Sequence, residues 1–163
     1  MSSANRGVAT EEMLQVAKDE DIDINFLITK VANGSVIIPR NIARKQKIKV
    51  VGIGKGLRTK VNVNIGTSTL YQNLEEEVLK AKVAVKYGGD TIMDLSDGGN
   101  LDLIREKLLD AAPITFGTVP IYQAYAYGVE KYKNPLNISE DDFLNAFEKH
   151  AKDGVDYTTI HSG

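Results

Sequence analysis

From residue 60 onward the chain alternates β-type runs with helix-type stripes, and it ends on a β-type run with no helix after it. Such alternation builds βαβ units, and hence a parallel sheet, because each crossover helix returns the chain to the same end of the sheet. Val61-Asn62-Val63-Asn64-Ile65 reads as the first strand. Asn73, with Glu76 three residues on, resembles a capping box, and Leu74, Val78, Ala81 and Val85 form the apolar stripe of a helix ended by Gly88-Gly89. Thr91 to Leu95 is a second strand, followed by a helix with Leu101, Ile104 and Leu108 on one face. Pro113 to Val119 is a third, and Pro120 then sits where a first helical turn tolerates a missing N–H. Ser139 opens a further helix that carries Phe143 and Phe147 and closes at Gly154, and Val155 to Ile160 is the fourth strand.

Residues 1–58 read differently, as an N-terminal α+β arm ahead of the strand–helix unit of residues 59–163. Ile24, Leu27, Ile28 and Val31 recur at helical spacing, and Asn33-Gly34 supply a C-terminal stop. A helix is also expected around Glu11 to Lys18, with short strands at Val36 to Ile38 and at Ile48 to Val51. Gly52 to Arg58 has the glycine spacing of a phosphate loop but lacks its Gly-Lys-Ser/Thr ending, so it reads as a turn between short strands.

A complete (βα)8 barrel takes about 250 residues, whereas about 105 residues here supply four strands. A terminal strand would leave a row of unpaired backbone groups along one edge. Either the four strands form an open α/β domain, or they are the N-terminal half of a TIM-type barrel; the second is the expected fold. Composition narrows the chemistry. With no cysteine among 163 residues, the chain has no disulfide, no thiolate nucleophile and no ligands for an iron–sulfur cluster. A net charge of -2 gives no footprint for nucleic acid, and no apolar run approaches the ~20 residues that cross a bilayer. The polar start, Met1 to Gly7, lacks the apolar core of a signal peptide, so the expected location is the cytoplasm.

In parallel α/β folds ligands bind beyond the carboxyl ends of the strands. That rule selects Asn64, Met93, Tyr122 and His161, spaced by 29, 29 and 39 residues. Asn64 precedes the small polar turn Gly66-Thr67-Ser68, which is either an anion-binding turn or an ordinary loop. Met93 is either a core residue or an apolar shelf. Asp94 and Asp97 either hold a cation or cap the next helix, with capping preferred. Tyr122 offers a ring with a hydroxyl, and His161 is a hydrogen-bonding or proton-handling group at a strand end. His150, between Lys149 and Ala151 in a helix, reads as solvent-facing.

Several runs jointly resemble the phosphomethylpyrimidine synthase family. They are Ser35 to Asn41, Lys60 to Ser68, Glu75 to Val78, Gly89 to Ser96, Gly117 to Gln123 and Gly154 to His161, and the resemblance covers residues 8–163. It implies a (βα)8 barrel, a carbon–carbon lyase of the radical S-adenosylmethionine type. Such an enzyme converts 5-aminoimidazole ribonucleotide to 4-amino-5-hydroxymethyl-2-methylpyrimidine phosphate in thiamine biosynthesis. The family uses S-adenosylmethionine, a [4Fe–4S] cluster and a zinc-like divalent metal; its substrate contacts fall on Asn64, Met93, Tyr122 and His161, and no catalytic residue is assigned here. The cluster-binding cysteines and metal-binding histidines belong to the later part of the family's chain. This chain alone is therefore expected to bind neither cluster nor metal and to be inactive. Its expected partners are the small-molecule substrate and either further copies of itself or a complementary C-terminal half. A fragment of the related 5-hydroxybenzimidazole synthase, or a non-catalytic half-barrel module, are the alternatives.

Overall fold

The computed structural model describes residues 2–161. The N-terminal part folds as α1 (Ser2–Asn5), α2 (Glu11–Asp19), α3 (Ile24–Ala32) and the antiparallel pair β1 (Val36–Ile37) and β2 (Ile53–Gly54). Local chemistry starts its helices: the Thr10 hydroxyl accepts from Met13 N–H, and the Asp23 carboxylate accepts from Asn25 and Phe26 N–H. Met13, Val16, Leu27, Val31 and Val36 form a core of their own, which Ile48 and Val50 join. The strand expected at Ile48 to Val51 is not one; Lys49 makes a single parallel bridge to Ile114. The apolar pattern there reflects burial between this core and the start of the sheet, not a ladder. The expected turn at Gly52 to Arg58 likewise contains β2 itself.

The second part alternates β3 (Asn62–Ile65), α4 (Leu74–Lys86), β4 (Thr91–Asp94), α5 (Leu101–Ala111), β5 (Thr115–Thr118), α6 (Pro120–Tyr132), a 3-10 turn (Pro135–Asn137), α7 (Glu140–Asp153) and β6 (Tyr157–Thr158). The four strands make one parallel sheet in the order β3-β4-β5-β6. Asn73 and the Ser139–Asp142 capping box open α4 and α7, and Pro120 is in the first turn of α6. Asn100, not Asp94 or Asp97, caps α5, because it stands three residues before Leu103 N–H. The fourth strand is shorter than the expected Val155 to Ile160.

Side chains alternate across this sheet. Val63, Ile65, Ile92 and Phe116 pack against Ala81, Ile104 and Leu108 of the helices. Asn62, Asn64, Thr91, Met93, Thr115, Gly117 and Tyr157 fall on the opposite face. Gly117 is required there by close approach: a Cβ would lie 2.4 Å from Cζ of Tyr157, whose ring rests on the glycine.

The N-terminal part meets the sheet at the amino ends of its strands. Arg58 pairs with Asp90, which also accepts from Val61 N–H, and Lys60 pairs with Glu20 at 2.6 Å. Lys49 N–H donates to the Pro113 carbonyl. Arg44 spans the largest gap. It donates to the carbonyls of Leu109, Ala112 and Ile114 and pairs with Asp156 at 2.6 Å. The Arg44 and Asp156 side chains are 3% and 0% exposed. Removing one partner of such a pair strands the other charge out of water. Arg44→Ala is therefore expected to lower the unfolding free energy of this chain by about 3–5 kcal/mol, read from urea titration; a loss below about 1 kcal/mol would contradict that role for the pair.

Candidate functional site

With the amino ends occupied, the carboxyl ends of the strands are left with short loops. The loops after β3 and β4 are laced together. Thr67 N–H donates to Ser96 Oγ at 3.0 Å, Thr67 Oγ1 to the Gly98 carbonyl at 2.7 Å, and Thr69 N–H to Asp97 at 3.0 Å. Gly66, at φ 141°, lets the two exits touch: a Cβ there would meet Ser96 N at 2.5 Å. Its N–H donates to the buried Glu77 carboxylate, which Lys80 neutralises at 2.7 Å. The polar turn at Gly66 to Ser68 thus spends its groups internally. Asp94 is buried too and accepts from Ser96 N–H and Oγ; burial pushes its carboxyl above the usual range.

The four residues selected from sequence fall into two pairs. Asn64 and Met93 are register partners on β3 and β4. Asn64 is exposed, whereas Met93 is 6% exposed, with its sulfur 4.0 Å from Thr159 Oγ1 just past β6. Tyr122 lies in the first turn of α6, not in a strand. Its ring stacks on His161, with centroids 6.3 Å apart and planes 18° from parallel. Thr159, two residues before His161, is what connects one pair to the other. The arrangement offers an amide, a thioether, a phenol and an imidazole at one end of the sheet. Between them these groups supply hydrogen-bond donors and acceptors beside an apolar, polarizable thioether.

Behind these exits lies a polar layer that sequence reasoning missed. Arg105 pairs with Asp153 at 2.5 Å and Asp102 at 2.7 Å, and donates to Gln123 Oε1 at 2.7 Å. His150 faces it. His150 Nδ1 is 2.8 Å from the Thr118 hydroxyl, and Nε2 is 2.7 Å from Gln123 Oε1. Gln123 Nε2 donates to Asp102, which fixes the amide with its oxygen toward both Arg105 and His150, and His150 Nε2 also lies 3.0 Å from Arg105 Nη1. His150 is thus 3% exposed, not solvent-facing. The signal for it was the stripe Asp142, Ala146 and His150 at four-residue spacing, which the helix turns inward. The layer ties α5, α7 and β5 to Gln123 and so fixes the turn that carries Tyr122.

The sequence matches the Radical SAM ThiC family over residues 1–163. The chain belongs to that family. It is 52% identical over 163 residues to a protein named phosphomethylpyrimidine synthase from Pyrococcus furiosus, covering all of this chain and 38% of the relative. A protein of the same name from Thermococcus gammatolerans is 53% identical, with the same coverage. One from Ignicoccus hospitalis is 49% identical over 160 residues, covering 98% of this chain and 36% of the relative. The chain thus spans well under half the length of these relatives. A radical SAM family implies S-adenosylmethionine and an iron–sulfur cluster, but this ThiC-family chain has no cysteine to hold a cluster. Among the described residues no group of three or more His, Cys, Asp or Glu side chains could hold a metal ion. No helix among them is long and apolar enough to cross a membrane.

Burial, and then Arg105, lower the pKa of His150 from 6.5 to about 4. Between those values the unfolded chain binds the proton and the folded chain does not, so this residue withdraws stability as pH falls. The loss begins near the unfolded value and is complete near the folded one, reaching on the order of 3 kcal/mol. Urea midpoints of this chain and of His150→Gln, compared between about pH 7.5 and about pH 4.5, are expected to show a steeper acid loss in the unsubstituted chain. Equal slopes would mean that the imidazole titrates normally.

Proposed function

We propose that this chain is the N-terminal part of a phosphomethylpyrimidine synthase. In this reading residues 1–58 are an arm that closes the amino ends of the strands, and residues 59–163 are the first half of a (βα)8 barrel. The half barrel binds 5-aminoimidazole ribonucleotide and holds it for conversion to 4-amino-5-hydroxymethyl-2-methylpyrimidine phosphate in thiamine biosynthesis, in the cytoplasm. The observation that carries the reading is the asymmetry of the sheet. Its amino ends are tied down by buried ion pairs, while the amide, thioether and stacked ring pair stand at its carboxyl ends.

Asn64 bonds the polar rim of the substrate, and Met93 forms an apolar, polarizable floor under its imidazole. Tyr122 and His161 bond ribose or phosphate oxygens and hold the sugar still, which restricts the substrate to one reactive geometry. S-adenosylmethionine, the cluster and a zinc-like divalent metal supply the radical chemistry when bound, through residues outside this chain. The chain alone is inactive in this reading. Its protein partner is the complementary C-terminal half of the barrel or a further copy of this chain.

The test uses a fusion of this chain to the C-terminal part of the Pyrococcus furiosus relative. Asn64→Ala and His161→Ala are each expected to raise KM for 5-aminoimidazole ribonucleotide about tenfold, the cost of one hydrogen bond lost in a shielded site. Unchanged KM and kcat in both variants would overturn the site assignment.

A further inference from the structure

Asn62 has no part in that reading, yet it sits at the centre of a hydrogen-bond chain that ends on Asn64. Its Oδ1 accepts from the Thr91 hydroxyl at 2.7 Å and from the Tyr157 hydroxyl at 3.0 Å. Its Nδ2 donates to Oδ1 of Asn64 at 3.2 Å. The two asparagines stand at alternate positions of β3 and so share one face of the sheet. An amide has an acceptor end and a donor end, and the orientation of one constrains its neighbour. A flip of Asn62 would turn its nitrogen toward both hydroxyls, and the buried Thr91 hydroxyl would lose the acceptor it has at 2.7 Å. Tyr157 is itself held in place, with its ring resting on Gly117 and its hydroxyl 3.4 Å from the Ile92 carbonyl.

We infer that Asn62 is a positioning residue: it holds the Asn64 amide by its oxygen, so that Asn64 turns its Nδ2 to the ligand and reads a hydrogen-bond acceptor there. The inference rests on Asn64 being a substrate contact, and it narrows what that contact recognises. The ligand atom facing Asn64 carries a lone pair, as an unprotonated ring nitrogen or a ribose oxygen does, and not an N–H or O–H.

The experiment uses the same fusion, with 5-aminoimidazole ribonucleotide and its uncharged riboside as probes. Both asparagines are exposed, and because Asn62→Leu also takes the acceptor from the Thr91 hydroxyl, an unchanged urea midpoint checks that each variant keeps the fold. Asn64→Asp keeps the shape but has no proton to donate; it is expected to lose at least as much affinity as Asn64→Ala, about tenfold. The loss persists with the riboside, which separates it from repulsion of the phosphate. Asn62→Leu releases the Asn64 amide without adding charge, and KM is expected to rise about fivefold with kcat within about twofold of the unsubstituted fusion. If Asn64→Ala weakens binding while Asn64→Asp and Asn62→Leu bind the riboside normally, the amide orientation is wrong and the site assignment stands. If Asn64→Ala changes nothing, the site assignment itself fails.

Discussion

The structure depends on one carboxylate. Asp156 has no exposed side-chain surface and accepts from Phe116 N–H at 2.9 Å, Asn41 N–H at 2.9 Å and Arg44 at 2.6 Å. It stands directly before β6, a strand of two residues whose own ladder is too short to define its position. Asp156 N–H donates to the Phe116 carbonyl, so the residue grips one position of β5 from both sides. A shift of one residue would send Tyr157 to the helix side of the sheet. The register that Asp156 holds instead lays Tyr157 over Gly117, brings Thr159 to Met93 and leaves His161 opposite Tyr122.

That constraint reaches across the molecule because its partners are far apart in sequence. Arg44 and Asn41 come from the N-terminal arm, and Asn41 also donates to the carbonyls of Ala151 and Val155. A buried pair of this kind contributes little net stability against an apolar replacement, but it penalises every arrangement in which either charge is left alone. Buried charge at the amino ends thus selects one docking of arm on sheet. At the other end, Arg105, Gln123 and His150 fix the turn that presents Tyr122. Rigid supports lie below and behind the strand exits, the end at which parallel α/β folds usually bind their ligands.

What could be read in the sequence was what local chemistry decides. Asn73 and Ser139 cap their helices, Pro120 begins α6, and the stripe around Leu27 and Val31 makes α3, because each signal acts within a turn of the chain. The rhythm of strand and helix likewise predicts the parallel sheet. The choice of Asn64, Met93, Tyr122 and His161 came from that rhythm and from family resemblance, and the fold sets them as two neighbouring pairs. Long-range chemistry was not legible. Nothing near Asp156 announces Arg44, 112 residues away, and nothing near His150 announces Thr118. Ile48 to Val51 misled because an apolar run buried in the N-terminal core, with one bridge to the sheet, has the composition of a strand. Asp94 and Asp97 misled because their partners, Ser96 and Thr69, lie in the loops and not in the helix that follows.

In the proposed reading the carboxyl ends of these four strands form one ligand-reading surface. Amide hydrogen exchange on the completed fusion, with and without 5-aminoimidazole ribonucleotide, tests it most directly. Ligand-dependent protection is expected to concentrate in the segments around Asn64, Met93, Tyr122 and His161, with the amino ends near Asp90 and Ile114 unchanged. Protection at the amino ends, or in only one of the four segments, would contradict that reading.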